Sequence, residues 1–182
     1  AVTFYESDVD MHHCIFENNH CEDGLNLIRS TFLLEGVTVR QTPSDGFDAD
    51  FCEGSLRACH FVDTGNDGID VSGSKVEIEN CSLLRNGDKG ISVGEDSDVR
   101  IKSVDIEGAA IGVASKDLSF LLIDQIRLKD CNQGFVAYQK KPEYGPSIIN
   151  VRKMEEENTK YLHNVAPACT LRIGSKLIVG ER

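Results

Sequence analysis

Apolar residues return along this chain at a fixed spacing, i, i+2, i+5 and i+7. They appear as Val9, Met11, Cys14 and Phe16, then as Phe32, Leu34, Val37 and Val39. Later copies are Val76, Ile78, Cys81 and Leu83; Val99, Ile101, Val104 and Ile106; and Leu121, Ile123, Ile126 and Leu128. A weaker copy holds Gly54, Leu56, Cys59 and Phe61. Alternation interrupted by a three-residue step predicts two short, half-buried strands with a bend between them.

A second phrase follows each set. It reads Gly24-Leu25-Asn26-Leu27, Gly46-Phe47-Asp48-Ala49, Gly68-Ile69-Asp70-Val71, Gly90-Ile91-Ser92-Val93, Ala110-Ile111-Gly112-Val113 and Gly134-Phe135-Val136-Ala137. The first residues of these copies are 22, 22, 22, 20 and 24 positions apart. The phrase adds a third strand, with Ile69 and Val71 facing inward and Asp70 outward. Three short strands in about 22 residues are too few for a propeller blade, and no helical segment is present for a leucine-rich or ankyrin unit. The pattern predicts an all-β, single-stranded right-handed parallel β-helix of about six to seven rungs. Equivalent residues then form ladders about 4.8 Å apart. The repeat core is expected over about residues 9 to 151 and a C-terminal cap of irregular strands over about 152 to 182, in a single domain spanning 1 to 182. Length differences fall between the second strand and the glycine, which marks that corner as variable. The chain enters the pattern by Val9 without an obvious cap, so an upstream domain or a homo-oligomer covering the N-terminal end is expected, as in a fragment or C-terminal domain of a longer protein.

Composition narrows the chemistry. Thirty acidic and nineteen basic residues give a net charge of -11, which opposes nucleic acid and anionic membranes. No apolar run is long enough for membrane insertion. Seven cysteines cannot all pair within one chain and lack the spacing of a structural zinc site, so reduced core thiols are expected.

Three segments carry a family resemblance: Gly65-Asn66-Asp67-Gly68-Ile69-Asp70-Val71-Ser72-Gly73-Ser74, Val76-Glu77-Ile78-Glu79-Asn80-Cys81, and Asn86-Gly87-Asp88-Lys89-Gly90-Ile91-Ser92-Val93-Gly94. They resemble the right-handed parallel β-helix proteins of the pectin-lyase-like superfamily, particularly bacterial β-helix repeat proteins. That superfamily includes polysaccharide lyases, hydrolases, epimerases, adhesins and noncatalytic modules, so the resemblance implies a fold before an activity. Asn66-Asp67-Gly68-Ile69-Asp70 is similar to the segment that supplies one catalytic aspartate in polygalacturonases, with Asp67 at the matching position. The paired aspartates of that family are replaced by Asp88-Lys89, its Gly-His-Gly histidine is missing, and its Arg-Ile-Lys motif appears as Arg100-Ile101-Lys102 on a different strand. A working polygalacturonase is therefore not expected. A looser likeness, in Ile111–Asp117 and Tyr138–Pro146, is to β-helical segments attached to spore-coat kinase-like domains of bacterial surface proteins.

The outward positions of the glycine phrase place Asn26, Asp48, Asp70 and Ser92 in one column, with Asp50 and Ser72 two residues further on. Asp23, Asp45 and Asp67 precede the glycines in a second column. Stacked carboxylates repel unless a cation, a basic neighbour or a shared proton compensates. Calcium held by Asp48, Asp50 and Asp70 is one solution. Lys89 and Lys116 are another, either serving as the base of a β-elimination. A shared proton would instead make Asp48 and Asp70 an acid and base pair for glycoside hydrolysis. Asp50, Asp67, Glu95, Tyr138 and Lys140 complete the expected substrate-binding set, whereas Asp23, Asp45 and Asp67 also suit ordinary Asp-Gly turns. Together with the resemblance, these residues lead to the expectation of a carbohydrate-associated β-helix module of a bacterial extracellular or surface protein, with an acidic polysaccharide as its partner. The competing expectation is a lyase, hydrolase or epimerase acting on a uronate-containing glycan.

Overall fold

The computed structural model describes residues 1 to 181. Eight strands stack in parallel to form the first sheet: Val2–Tyr5, Leu25–Ile28, Phe47–Asp50, Ile69–Ser72, Lys89–Gly94, Ile111–Lys116, Gln133–Tyr138 and Tyr161–Val165. The chain then turns a corner into a second sheet of twelve strands, which bends along its length. In the early turns the bend separates pairs such as Glu53–Arg57 and His60–Thr64; from Lys75–Asn86 onward a single long strand runs through it. The fold is thus a parallel β-solenoid of about eight turns, with no helix among the described residues.

Two turns lie outside the sequence pattern. Val2–Tyr5 pairs in register with Leu25–Ile28, although no glycine marks its start. At the other end Tyr161–Val165 pairs with Gln133–Tyr138, and Thr170–Ile173 pairs with Ile148–Glu157, both parallel. Much of the segment expected to cap the stack therefore continues the ladder. Lys176–Val179 alone folds back antiparallel, against Thr170–Ile173. The variable corner also needs correcting: the longest insertion, 139–147, joins the first sheet to the second, not the second to the glycine.

The interior follows the apolar spacing. Phe47, Phe61, Leu25, Leu27, Leu34, Leu56, Ile69 and Ile78 are fully enclosed, each contributing about 1.5–3 kcal/mol by leaving water. Phe32 meets Phe47 of the next turn edge-on with ring centroids 5.5 Å apart, and Phe47 meets Phe61 of its own turn at 6.3 Å. At the first turn Phe4, Met11, Cys14 and Phe16 are only partly buried against this core.

The glycines before the first-sheet strands are required for a reason other than the turn flexibility expected of Asp-Gly. Gly24, Gly46, Gly68 and Gly90 do not adopt positive φ; instead a Cβ at Gly46 would lie 2.8 Å from the Gly68 carbonyl and 3.1 Å from the Phe61 ring. Close stacking, rather than a left-handed backbone, excludes a side chain there. Left-handed residues occupy the next corner, where Glu6, Arg29, Phe51, Gly73 and Glu95 have φ of 49, 49, 54, 60 and 59°.

Just inside that corner runs a ladder of small hydrogen-bonding side chains. The Ser30 N–H donates to Cys52 Sγ (3.4 Å), the Cys52 N–H to Ser74 Oγ (2.7 Å), the Ser74 N–H to Ser97 Oγ (3.0 Å), and the Ser97 N–H to Ser119 Oγ (3.2 Å). The Ser147 N–H meets Cys169 Sγ in the same way at 3.4 Å. Each turn thereby satisfies a buried amide of the turn before it. All seven cysteines are free; five are buried, Cys14 is half-buried and Cys21 is exposed.

Candidate functional site

The first sheet presents the expected columns in register. Asn26 pairs with Asp48, Asp48 with Asp70 and Asp70 with Ser92, so their side chains succeed one another on the outer face. The adjacent outward column runs through Asp50, Ser72 and Gly94 to Lys116 and Tyr138. Asp48, Asp50 and Asp70 are half-buried; Asp48 stacks on Asp70 one turn away, about 4.8 Å, and Asp50 lies two residues further along the strand of Asp48, beside Ser72. Burial raises the Asp48 carboxyl to about 8, with the charges of Asp50, Asp70, Asp23 and Asp45 adding to it. Burial also pushes Asp50 upward, helped by Asp70 and Glu95. At neutral pH the row therefore contains a protonated carboxyl at Asp48.

Lys116 reaches back along the stack. Its Nζ donates to Ser92 Oγ at 3.0 Å and lies 3.8 Å from Asp70 Oδ1. The second distance is within ion-pair range but beyond a hydrogen bond, which is why Asp70 Oδ1 is enclosed without a hydrogen-bond partner. The path exists because Gly94 lacks a side chain: a Cβ there would come 2.5 Å from Lys116 Cε and 3.0 Å from its Cγ. Lys116 is buried along this path, its stem covering Gly94 while its charge offsets the carboxylate row.

The column before the glycines serves the stack itself. Asp45 Oδ1 accepts the Asp67 N–H at 2.8 Å and Asn66 Nδ2 at 2.7 Å, and Asp67 Oδ1 accepts the Lys89 N–H at 3.0 Å. Lys89 Nζ lies 3.3 Å from Asp67 and also bonds Asp88. Burial opposes the Lys89 charge, but the hydrogen bond to Asp88 and the charges of Asp67 and Asp88 outweigh it and raise its pKa. At Asp67 burial wins, lifting the carboxyl to about 6 against the pull of Lys89. Asp67 is only 2% exposed, so the polygalacturonase-like position holds a carboxyl that joins turns and faces a lysine.

The remaining candidates lie at the far corner. Glu95 pairs with Lys141 from the 139–147 insertion. That loop is anchored from beneath by Asp117, whose Oδ1 accepts the Lys140 and Lys141 N–H groups at 2.6 and 2.7 Å. Gln139 Nε2 donates to the Lys141, Pro142 and Tyr144 carbonyls and fixes the loop's curvature. Lys140 is exposed and Tyr138 half-buried. The structure thus brings Asp48, Asp50, Asp70 and Lys116 onto one face, sets Lys89 and Asp67 at its edge, and places Glu95 and Lys140 beside the loop. Phe51 stands on the corner, 56% exposed, with its ring over Gly73. Asp117, Gln139, Lys141 and Gly94 escaped the sequence reading. Only the 22-residue step from Gly94 to Lys116 could have signalled one of them.

Among the described residues, no group of three His, Cys, Asp or Glu side chains is arranged to hold a metal ion. Asp48, Asp50 and Asp70 occupy two adjacent turns of a flat ladder and do not converge, so they do not fit a calcium cage. A groove of about 670 Å³ on the second sheet and two smaller concavities are lined by residues other than Asp48, Asp70, Lys89 and Lys116.

These features define a parallel β-solenoid carrying a half-buried carboxyl row with lysine countercharges on an open sheet face. Residues 2–160 match the family model described as right handed beta helix region, and the chain belongs to that family. No curated protein matches it.

Proposed function

We propose that this chain is a carbohydrate-associated β-helix module that binds a polysaccharide on the outward face of its first sheet. The observation carrying this reading is the register of Asn26, Asp48 and Asp70, which sets an amide and two half-buried carboxyl groups one turn apart on the outward side of the sheet, ending at Ser92, buried beneath Lys116. Planar carboxyl and amide groups accept from and donate to sugar hydroxyls, and protonated Asp48 adds a donor beside the Asn26 amide. Lys89, Lys116 and Lys141 already face Asp67, Asp70 and Glu95, so hydroxyl groups rather than uronate carboxylates are the natural guests.

A catalytic reading rests on one feature. Asp48, raised to about 8, adjoins Asp70, which lies 3.8 Å from Lys116 Nζ, and a proton-bearing carboxyl beside a second carboxyl is the pairing that acid–base glycoside cleavage uses.

Calorimetric titration with neutral and uronate oligosaccharides tests both readings, alongside an assay for ultraviolet-absorbing unsaturated product and for new reducing ends. Binding without product, lost in folded Asp48→Ala and Asp70→Ala variants, supports the module. Product formation that depends on Asp48 and Asp70 supports the enzyme. Glycan binding unaffected by either substitution removes this face from the function.

A further inference from the structure

A second site lies away from the carboxyl row, where the long strands of the second sheet bend. An open groove of about 670 Å³ follows that bend. One wall is formed by Asn80, Ser103, Gln125 and Lys153, the other by His60, Ser82, Asp105, Arg127 and Glu155. Register places His60 beside Ser82, Ser82 beside Asp105, Asp105 beside Arg127 and Arg127 beside Glu155. Five successive turns therefore contribute to a trough about 19 Å long, at about 4.8 Å per step. We propose that it binds a neutral linear glycan lying parallel to the solenoid axis.

The charged groups in the trough do not pair as their neighbours do. One column away, Lys102 meets Glu79 at 2.9 Å and Arg152 meets Asp124 at 2.8 Å, each across a single turn. Asp105, Arg127 and Glu155 have the same stacking and alternating sign, yet among the described residues no ion pair joins them. The one ion pair of Arg127 is a 3.9 Å contact with Glu157, and Lys153 has none. The trough thus leaves an ammonium, two carboxylates and the Gln125 amide, together with a guanidinium held only by a 3.9 Å contact to Glu157, to hydrogen-bond a guest.

The arrangement selects among polymers. Two acidic and two basic side chains leave no strong bias toward a charged chain, and the net charge of -11 opposes nucleic acid. The backbone groups of the long strands are already engaged in parallel ladders on both sides, so a peptide cannot add as a further strand. A peptide also advances about 3.3 Å per residue, out of step with side-chain groups repeating every 4.8 Å or so. Each turn spacing is close to the length of one pyranose unit, which lets vicinal hydroxyls meet successive rungs. Gln125, Asp105 and Arg127 supply the donors and acceptors that a diol requires, while Asn80 and Ser103 hydrogen-bond each other. At one end, the 2.7 Å His60 Nδ1–Ser82 Oγ hydrogen bond joins the last two rungs of the wall.

The test uses the whole chain and neutral hexasaccharides of the cellulose, xylan, mannan and starch types, with polygalacturonate and a polar peptide as comparison probes. Calorimetry of Gln125→Ala/Arg127→Ala should show affinity for a neutral hexasaccharide reduced about tenfold or more. Amide shifts in the unmodified chain should centre on Ser82, Ser103, Gln125 and Arg127, a readout that does not depend on any variant folding. The proposal is overturned if no neutral hexasaccharide binds, if only polygalacturonate or the peptide binds, or if the shifts fall on the first sheet. Shifts on the first sheet would leave the carboxyl-row reading standing. Loss of both sets of shifts would remove both.

Discussion

Replacing Asp48 with asparagine keeps the shape of the protonated carboxyl and removes its ability to ionise. The Asp48 carboxyl takes its proton at about 8 in the folded chain, against an ordinary value of 3.8. Between those pH values the folded chain binds a proton that the unfolded chain has released. Stability from this group is therefore complete below about pH 4 and is lost as pH rises to about 8. A shift of about four units corresponds to an upper bound of roughly 5–6 kcal/mol at about 1.36 kcal/mol per unit. The side chain keeps some contact with water, which screens Asp50 and Asp70, so about 2 kcal/mol is expected. Asp48→Asn should match the natural chain near pH 4 and exceed it by about 2 kcal/mol at pH 8.

Thermal unfolding of the two proteins across this range measures the difference directly. For a chain of this size about 2 kcal/mol corresponds to a gap of roughly 4–8 °C in Tm. Asp23, Asp45, Asp50 and Asp67 are also shifted upward by burial, so the natural chain should lose stability with rising pH more steeply than Asp48 alone requires. Subtracting the Asp48→Asn curve isolates the single group and its coupling to Asp50 and Asp70. A difference curve that is flat from pH 4 to 8, or that favours the natural chain at pH 8, would refute the buried, proton-bearing Asp48.

Other substitutions probe the features that place this row. Gly46→Ala puts a Cβ against the Gly68 carbonyl and the Phe61 ring, and chemical denaturation should show a loss of about 2 kcal/mol or more. Cys52→Ser should be tolerated within about 1 kcal/mol because either side chain accepts the Ser30 N–H, whereas Cys52→Val leaves that buried amide unpaired and should cost about 1–3 kcal/mol. Gly94→Ala should displace the flexible end of Lys116 from Asp70 with little change in unfolding temperature, and loss of the Lys116–Asp70 contact can be read from the Lys116 side-chain NMR signals.

The sequence pattern was most legible where one physical demand recurs in every turn. Ile69, Val71, Val76, Ile78, Cys81 and Leu83 repeat because each turn must fill the same interior, and their spacing revealed the strands and their inward faces. The outer register follows from that alternation, which by itself stacks Asp48 on Asp70. The end turns were hidden because partial enclosure relaxes the demand: Val2–Tyr5 begins without glycine, and Tyr161–Val165 carries His163 where earlier turns have Phe135 and Val113. The serine and cysteine ladder was visible in principle at Ser30, Cys52 and Ser74, each 22 residues from the next, but a hydrophobic pattern search groups Cys52 with apolar residues and separates it from its serine equivalents. The reach of Lys116 needs a further step, because register alone aligns it with Gly94 and Tyr138, away from the Asp70 column. Gly94 leaves the space and the long lysine stem crosses it, so one missing side chain determines which carboxylate receives the charge. Recurring backbone constraints are therefore readable as period, whereas the electrostatics of the face depend on a side chain that crosses from one column to another.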